Sequence, residues 1–521
     1  MVARILGIAS LVAAVSVPFA AHADWPRDGI ELGSVVELYT LNVLRDTDGR
    51  FLATYYSSQT EATHGAVMSP DGVQLWTQEL AVPGTPASDG QGGMFMLQSS
   101  GNVFLKRLDV DQVYHPGPTH WNTWQLNAIG TSAYAPVILS DAEQGAFIAW
   151  AQGGGAELRM RRMDSNGASK PGWPDAGRVV WTHPSSSSAL ELDGTGGIYV
   201  AGTGGWVQHL LGDGSTAPGW PEGGISVTQN GAMNVRLVRL DASNVAVIWQ
   251  AAGTWRVQKV KSDGTLYPTW PVAGVPIYCT GFGDIVPDGA GGLWLAGYGT
   301  SWRMYHVLDD GTTPFQIPAG FGFSPYDAGA VSQDLAIGTG RDGGVVAAWA
   351  DTRQSTRTAR IRTFDANGAP VYWEHPVARK ISALYEPARV NALYPEGDHA
   401  YVVTTSIPQP NSVNHVLVHK VPAQLPSVGV DDGRAEALQL APPWPNPARG
   451  EFSVRFVLDR DAAAGLELFD VSGRLVRWRT VSGAGEHLER FDRLDTLDPG
   501  LYFLRLSLDG ETRVARVVLS Q

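Results

Sequence analysis

Histidines, carboxylates and arginines recur in this chain at offsets that could support chemistry, and each set carries its own geometric test. His415 and His419 stand four apart. On a strand they share a face at a separation of ~13 Å, too far to hold one metal ion. Asp46-Thr47-Asp48-Gly49 opens as a calcium loop does but lacks the later carboxylates of a 12-residue loop, so it reads as a turn. No cofactor is expected, a structural calcium being the one exception to look for. Arg159 and Arg360, and Arg161 and Arg362, occupy matching positions in two repeats, which reads as a solvated strand face rather than a convergent site. The lone cysteine, Cys279, sits in Ile277-Tyr278-Cys279-Thr280 as a small buried hydrophobe and cannot form an intramolecular disulfide. Tyr114, His115, His120, Trp121 and Trp124 fall in an insertion over 109–124, and Phe321, Phe323 and Tyr326 in another over 315–334. Aromatic and polar loops on a rigid scaffold are typical binding surfaces. The first set is therefore the candidate site for a glycan or protein ligand. No Gly-x-Ser-x-Gly, His-Glu-x-x-His or phosphate loop occurs.

The elements that must carry these residues repeat. A Gly/Asp turn followed by an apolar strand occurs at Asp48-Gly49-Arg50-Phe51, Gly92-Gly93-Met94-Phe95, Gly145-Ala146-Phe147-Ile148 and Gly196-Gly197-Ile198-Tyr199. It returns at Val245-Ala246-Val247, Gly291-Gly292-Leu293-Trp294, Gly343-Gly344-Val345 and His399-Ala400-Tyr401. A second Asp/Gly turn follows in each unit, and Trp173-Pro174, Trp220-Pro221 and Trp270-Pro271 announce a further strand. Four short strands every ~40 to 50 residues is the period of a β-propeller, here with eight blades or, as the alternative count, seven. Trp25-Pro26-Arg27-Asp28-Gly29-Ile30 resembles a fourth strand without its first three, and the last unit lacks one. Residues 25 to 36 are thus expected to pair with that unit and close the ring. Trp150, Trp249 and Trp349, and Trp206, Trp255 and Trp302, recur at equivalent places, as rings that fill wedges between neighbouring sheets must.

Residues 1–23 read as a signal peptide: Arg4 supplies the positive start, 5–20 the apolar run and Ala21-His22-Ala23 the small-x-small site, with cleavage between Ala23 and Asp24. The run is too short and too interrupted for a membrane anchor, and no span is expected after cleavage. Charged residues are 17% of the chain and the net charge is -13, which disfavours a nucleic-acid partner. The expected layout is a propeller over 24–423, a linker over 424–443 and a small immunoglobulin-like β-sandwich over 444–521.

Two resemblances add to this reading. Asp342-Gly343-Gly344-Val345-Val346-Ala347-Ala348-Trp349-Ala350-Asp351-Thr352-Arg353 resembles the repeat of secreted bacterial propeller proteins, a likeness of architecture only. The tail, through Pro445-Asn446-Pro447, Phe469-Asp470-Val471-Ser472-Gly473-Arg474, Gly500-Leu501-Tyr502 and Arg513 to Leu519 with Arg516, resembles the type A sorting domain of the type IX secretion system. Phe469 replaces the more usual Tyr, and Arg516 the more usual Lys. The resemblance implies passage through the periplasm, recognition by the outer-membrane machinery, and a secreted or cell-surface protein of a Gram-negative bacterium. The expected function is a non-catalytic binding or structural propeller. The alternative is a secreted hydrolase or lyase acting on polysaccharide at the channel. Ser69-Pro70-Asp71-Gly72 and Ser262-Asp263-Gly264-Thr265 loosely resemble the Asp-boxes of sialidases. A quinone-dependent dehydrogenase fits less well, since the chain lacks its regular Trp docking motif.

Overall fold

The computed structural model describes residues 29–520 apart from breaks, the longer of which are 109–120, 127–131, 315–331, 352–357, 372–378, 381–387, 407–412 and 423–438. The described chain is built from β-strands and two short 3-10 turns. From Leu38 to Pro422 it forms eight small antiparallel sheets in chain order, each a meander of consecutive strands. The third sheet is representative, with strands Ala133–Ser140, Gly145–Gln152, Glu157–Asp164 and Arg178–Trp181. The sixth shows three strands among the described residues, Gly281–Pro287, Leu293–Tyr298 and Trp302–Val307.

Second strands such as Gly145–Gln152, Ile198–Gly202 and Asn244–Ala251 are buried almost throughout. A strand covered on both faces reads as a continuous apolar run rather than an alternating one, which is the pattern of Gly145 to Trp150. The covering comes from neighbouring sheets. Trp249 packs with Val235 and Val245 of its own sheet against Ala201 and Val207 of the sheet before. Trp150 and Trp349 fill the equivalent seams and are as completely buried. Each such ring withdraws about 200 Å² from water, worth a few kcal/mol.

First strands meet in sequence, and that of the eighth sheet, Ala388–Glu396, also meets that of the first, Leu38–Arg45, so the series closes on itself. The seam is sealed twice. Ile30–Val36 pairs with Val413–Pro422 as the fourth strand of the last sheet, with Ile30 opposite Val418 and Ser34 opposite His415. That is the pairing the truncated N-terminal repeat led us to expect; residues 25–28 lie outside the described part. Tyr394 then donates its hydroxyl to the Val43 carbonyl at 2.9 Å, tying the eighth sheet to the first.

The C-terminal residues form two facing layers. Gln439–Leu440, Glu451–Leu458 and Gly485–Phe491 make one; Leu475–Val481, Ala464–Asp470, Gly500–Leu508 and Glu511–Leu519 make the other, with Trp444–Arg449 paired to both. Phe452, Val454 and Phe456 face Leu466, Leu468, Leu504 and Leu506 across the core. Gln439 and Leu440, within the stretch read as linker, already pair with Val457 and Phe456.

Candidate functional site

The chemistry-bearing side chains gather in three places: the turns at one end of the sheets, the walls of the central cavity, and the C-terminal module. At the turns one arrangement recurs. An aspartate ends the first strand, and its Oδ1 accepts backbone N–H groups two and four residues on: Glu143 and Gly145 to Asp141, Thr195 and Gly197 to Asp193, Ala290 and Gly292 to Asp288, each at 2.7 or 2.8 or 2.9 Å. The glycine at the fourth position is required sterically. A Cβ on Gly145 would collide with the Met163 carbonyl and the Asp141 carboxylate, and Gly197 and Gly292 are confined alike.

The second carboxylate oxygen receives a cation or imidazole from the third strand: Arg107 Nε to Asp89 at 2.9 Å, Arg162 Nε to Asp141 at 2.9 Å, His209 Nε2 to Asp193 at 3.0 Å and His306 Nε2 to Asp288 at 2.9 Å. An aromatic on the second strand lies against three of these partners. Phe147 sits under Arg162 at 4.7 Å, Tyr199 stacks on His209 at 4.1 Å and Trp294 on His306 at 3.9 Å. Burial by itself would raise the Asp193 carboxyl, but bonds from His209, Thr195 and Gly197 outweigh it and hold the group below its ordinary value. The Asp141 carboxyl is likewise lowered by Lys170 and Arg162 against the pull of burial.

These groups also stitch one sheet to the next. Arg162 reaches the carbonyls of Gly196 and Gly212, both at 3.1 Å, and His306 Nδ1 meets that of Ala366 at 2.9 Å. Lys259, fully buried, bonds Gly291 O and Asp309. The Trp-Pro segments do the same work: Trp173, Trp220 and Trp270 donate Nε1–H to Gly212, Ser262 and Asp309 carbonyls of the following sheet at 3.0, 2.7 and 2.8 Å. Arg162, Lys259 and His306 thus join neighbouring sheets, whereas His209 braces Asp193 within its own sheet and leaves its buried Nδ1 without a hydrogen-bond partner.

The central cavity, of about 650 Å³, is walled by first strands of seven sheets, with Val43, Ile138, Leu190, Leu237, Ile285, Ile337 and Leu393 among its lining. Two carboxyls stand at or beside it. Asp284 accepts the Ile337 N–H at 3.1 Å, and burial raises its pKa against that bond and the charge of Arg236. Glu191, next to Leu190, is pushed up to about 7 by burial, against the Arg239 charge and N–H. Both accept a backbone N–H from the next sheet, again a joining role.

Other sequence-derived candidates disperse. Arg159 and Arg161 lie on one third strand and Arg360 and Arg362 on another, away from the cavity wall. The expected solvated face is corrected: Arg161 and Arg362 are buried. Arg161 is engaged by Ser169 Oγ at 2.7 Å and Asp175 at 3.1 Å, because the connection to the fourth strand folds back over it. His419 meets Thr404 Oγ1 at 2.8 Å and His415 faces Glu31 at 3.2 Å, so the two point to separate partners. Asp46 closes the same turn as Asp141, accepting Asp48 and Arg50 N–H at 3.0 and 2.8 Å. Cys279 is half-buried, and desolvation pushes its thiol up to about 12, leaving it protonated and unreactive. Trp121 and Trp124 pair opposite Leu108 and Leu105 as part of a fourth strand. Tyr114, His115 and His120, the second aromatic insertion at 321–326, and the Ala23–Asp24 junction lie outside the described residues.

In the C-terminal module the tail motifs come together as structure. Asn446, between Pro445 and Pro447, accepts the Val518 N–H at 2.8 Å and donates to the Arg516 carbonyl at 2.9 Å, clamping the last strand. Asp470 closes the turn to Arg474 through the Arg474 N–H at 3.0 Å and its Nε at 2.9 Å, with Gly473 at φ 82° between them. Beyond Gly500, Tyr502 donates its hydroxyl to the Asp498 carbonyl at 2.7 Å.

Residues 443–520 match a family described as the secretion system C-terminal sorting domain. The protein is accordingly secreted or displayed at the cell surface, and its C-terminal module engages the type IX secretion machinery. Among the described residues no helix is long and apolar enough to cross a membrane. No curated protein sequence matches the chain. Among solved structures it is similar to a puromycin hydrolase (10% identity, TM-score 0.33, covering 73% of this chain and 59% of that one). It is also similar to Hsv2 of Kluyvelomyces marxianus (10% identity, TM-score 0.35, 64% and 94%) and an exo-beta-1,3-galactanase of Phanerochaete chrysosporium (10% identity, TM-score 0.26, 77% and 98%). The chain spans only 59% of the hydrolase's length, and similarity at this level carries no statement about activity.

Proposed function

We propose that the eight sheets are the blades of an eight-bladed β-propeller, closed by its N-terminal strand, and that this propeller is a non-catalytic binding or structural module. An immunoglobulin-like sandwich at the C-terminus delivers it outside the cell. The observation that carries the reading is the commitment of the buried turn aspartates and their third-strand partners to the ring's own architecture. Asp141, Asp193, Asp288, Arg162, His209 and His306 are each committed to a turn or to the next sheet. The cavity wall is largely aliphatic, and a glycosidase would need two accessible carboxyl groups flanking a sugar. No cofactor is assigned.

Purified residues 24–423 on an array of polysaccharides, glycoconjugates and proteins should show saturable retention without released product. Deleting 445–521 should strand the propeller in the periplasm, and its undiminished appearance in the medium would overturn the delivery reading. One observation favours a second reading, a hydrolase or lyase at the channel: Glu191 holds a proton near neutral pH beside the cavity that Asp284 lines. Product release abolished by Glu191→Gln or Asp284→Asn, with the fold intact, would establish that reading and end the first.

A further inference from the structure

We propose that the outer face of the Leu475–Val481, Ala464–Asp470, Gly500–Leu508 and Glu511–Leu519 sheet is the surface by which a protein component of the secretion system holds this chain. The partner's matching surface is apolar with a carboxylate rim. The inference rests on the delivery reading and adds to it a specific face.

Strand alternation supplies the first argument. Leu466, Leu468, Leu504 and Leu506 point into the core, so their neighbours Glu467, Phe469, Phe503 and Arg505 point outward. Register sets these neighbours in two rows across the sheet: Leu475, Phe469, Phe503 and Arg516 in one; Trp478, Glu467, Arg505 and Val514 in the other. An outward face on water normally carries polar side chains at such positions. Here Trp478 is 67% exposed and Val514 60%, flanking the Glu467–Arg505 pair at the two ends of their row, and exposed Leu475 stands next to half-buried Phe469 in the other. Large apolar side chains held out to water around a paired charge are the composition of an interaction site.

Charge supplies the second. Arg505 grips one oxygen of Glu467 with two nitrogens, at 3.0 and 2.8 Å, and lies over the Phe469 ring at 4.6 Å. The central charges are already paired, so covering them strands neither. Asp470 is matched by Arg474, leaving exposed Arg516 to make the face net positive and to favour acidic groups opposite. The third argument is that Leu475–Val481 is the edge of its sheet, offering a partner strand a row of backbone groups.

The test uses the full chain in a secreting host, with a photo-crosslinking residue at position 478 and, as control, at Leu488, which is 58% exposed on the other layer. We expect an adduct at 478 identified by mass as a secretion-system subunit, and none at 488. Trp478→Lys with Val514→Lys should lower secretion at least tenfold while the periplasmic chain stays protease-resistant; Leu488→Lys should be secreted normally. Trp478→Gln alone, on an exposed position, keeps the test valid should the double variant fail to fold. Normal secretion of the Trp478 variants, or a 478 adduct only to a second copy or to this chain's own ring, would overturn the proposal. If deleting 445–521 itself leaves export intact, it is the delivery reading that fails, which separates the two failures.

Discussion

The ring and the C-terminal module are both antiparallel β-structure, yet they solve burial in opposite ways. Every fully buried polar or charged side chain among the described residues, from Thr54 to His419, belongs to the ring. The buried residues of the module are apolar ones and Tyr502, while seven of the fifteen exposed large apolar side chains among the described residues, from Val471 to Val518, lie on it. A ring of small sheets must hold each sheet at a defined angle to the next, and apolar wedges alone permit sliding. Directional bonds such as Arg162 to Gly196 and Gly212 prevent it. Two facing layers need no such angular lock, so alternation around Leu466, Leu468, Leu504 and Leu506 suffices. The outer surface of the module is then free for recognition.

The comparison breaks first at Arg162. Replacing it by Leu leaves Asp141, whose side chain is fully buried, with Lys170 as its one remaining cationic partner, and removes a donor from the Gly196 and Gly212 carbonyls of the next sheet, the second of which keeps Trp173. Removing one partner of a buried pair costs about 3–5 kcal/mol. Cys279 lies in the ring and is the only cysteine, so denaturant-dependent thiol labelling reads ring opening alone. A loss under about 1 kcal/mol would show that the polar stitches do not govern ring stability. In the module the equivalent cost should follow from apolar truncation. Leu504→Ala, at a fully buried position, should destabilise by about 2–5 kcal/mol, read by hydrogen exchange in residues 443–520 with Cys279 labelling unchanged.

The ring should also depend on pH through its buried carboxyls. Glu191 has a folded pKa of about 7 against an ordinary 4.5, so between those values the folded state binds more protons than the unfolded chain. Its contribution is therefore fully present below the ordinary value and lost as pH rises through 7, a change on the order of 3 kcal/mol, with little further slope above. Asp141 and Asp193 act the other way and lower down, since their depressed pKa values forfeit stability only as pH falls below the ordinary carboxylate range. Glu191→Gln should reduce the slope between pH 5 and 7, the remainder belonging to Asp284, which burial also raises; an unchanged slope would place the titration elsewhere.

Much of this architecture was legible in the chain. The Gly-apolar repeat marked the second strands because those strands are covered on both faces, and the orphan strand near Ile30 betrayed the closure with Val413–Pro422. The aspartate clasp was half legible. Asp89, Asp141, Asp193 and Asp288 each precede a glycine by four and an aromatic by six, at Phe95, Phe147, Tyr199 and Trp294, a spacing set by the turn and visible in sequence. Their partners Arg107, Arg162, His209 and His306 differ in type and in distance along the chain, because intervening hairpins vary in length, so no fixed pattern joins them. The arginines at 161 and 362 misled for a related reason: a strand pattern shows which face a side chain takes, not that a later connection folds over it. In the tail, Asn446 was visible as a motif residue, but its clamp on the last strand spans 72 residues to Val518 and is visible only in three dimensions.

The smallest expected effect sharpens the contrast most. Arg479 in the module makes an ion pair with Glu489 at 3.2 Å, formally like that of Arg162, but both side chains keep contact with water, at 42% and 26% exposure. Solvent screens the attraction, and either charge left alone is hydrated rather than stranded, so exposed pairs contribute only about 0.2–1 kcal/mol. Part of what Arg479 supplies is packing of its stem and guanidinium over the Phe491 ring at 5.4 Å, which a charge-neutral side chain of similar length retains. Arg479→Gln should therefore move the module's exchange-derived stability by less than about 1 kcal/mol, and raising salt should shrink even that. A loss as large as that of Arg162→Leu would mean that the module, like the ring, depends on its ion pairs, and the division drawn between the two regions would fall.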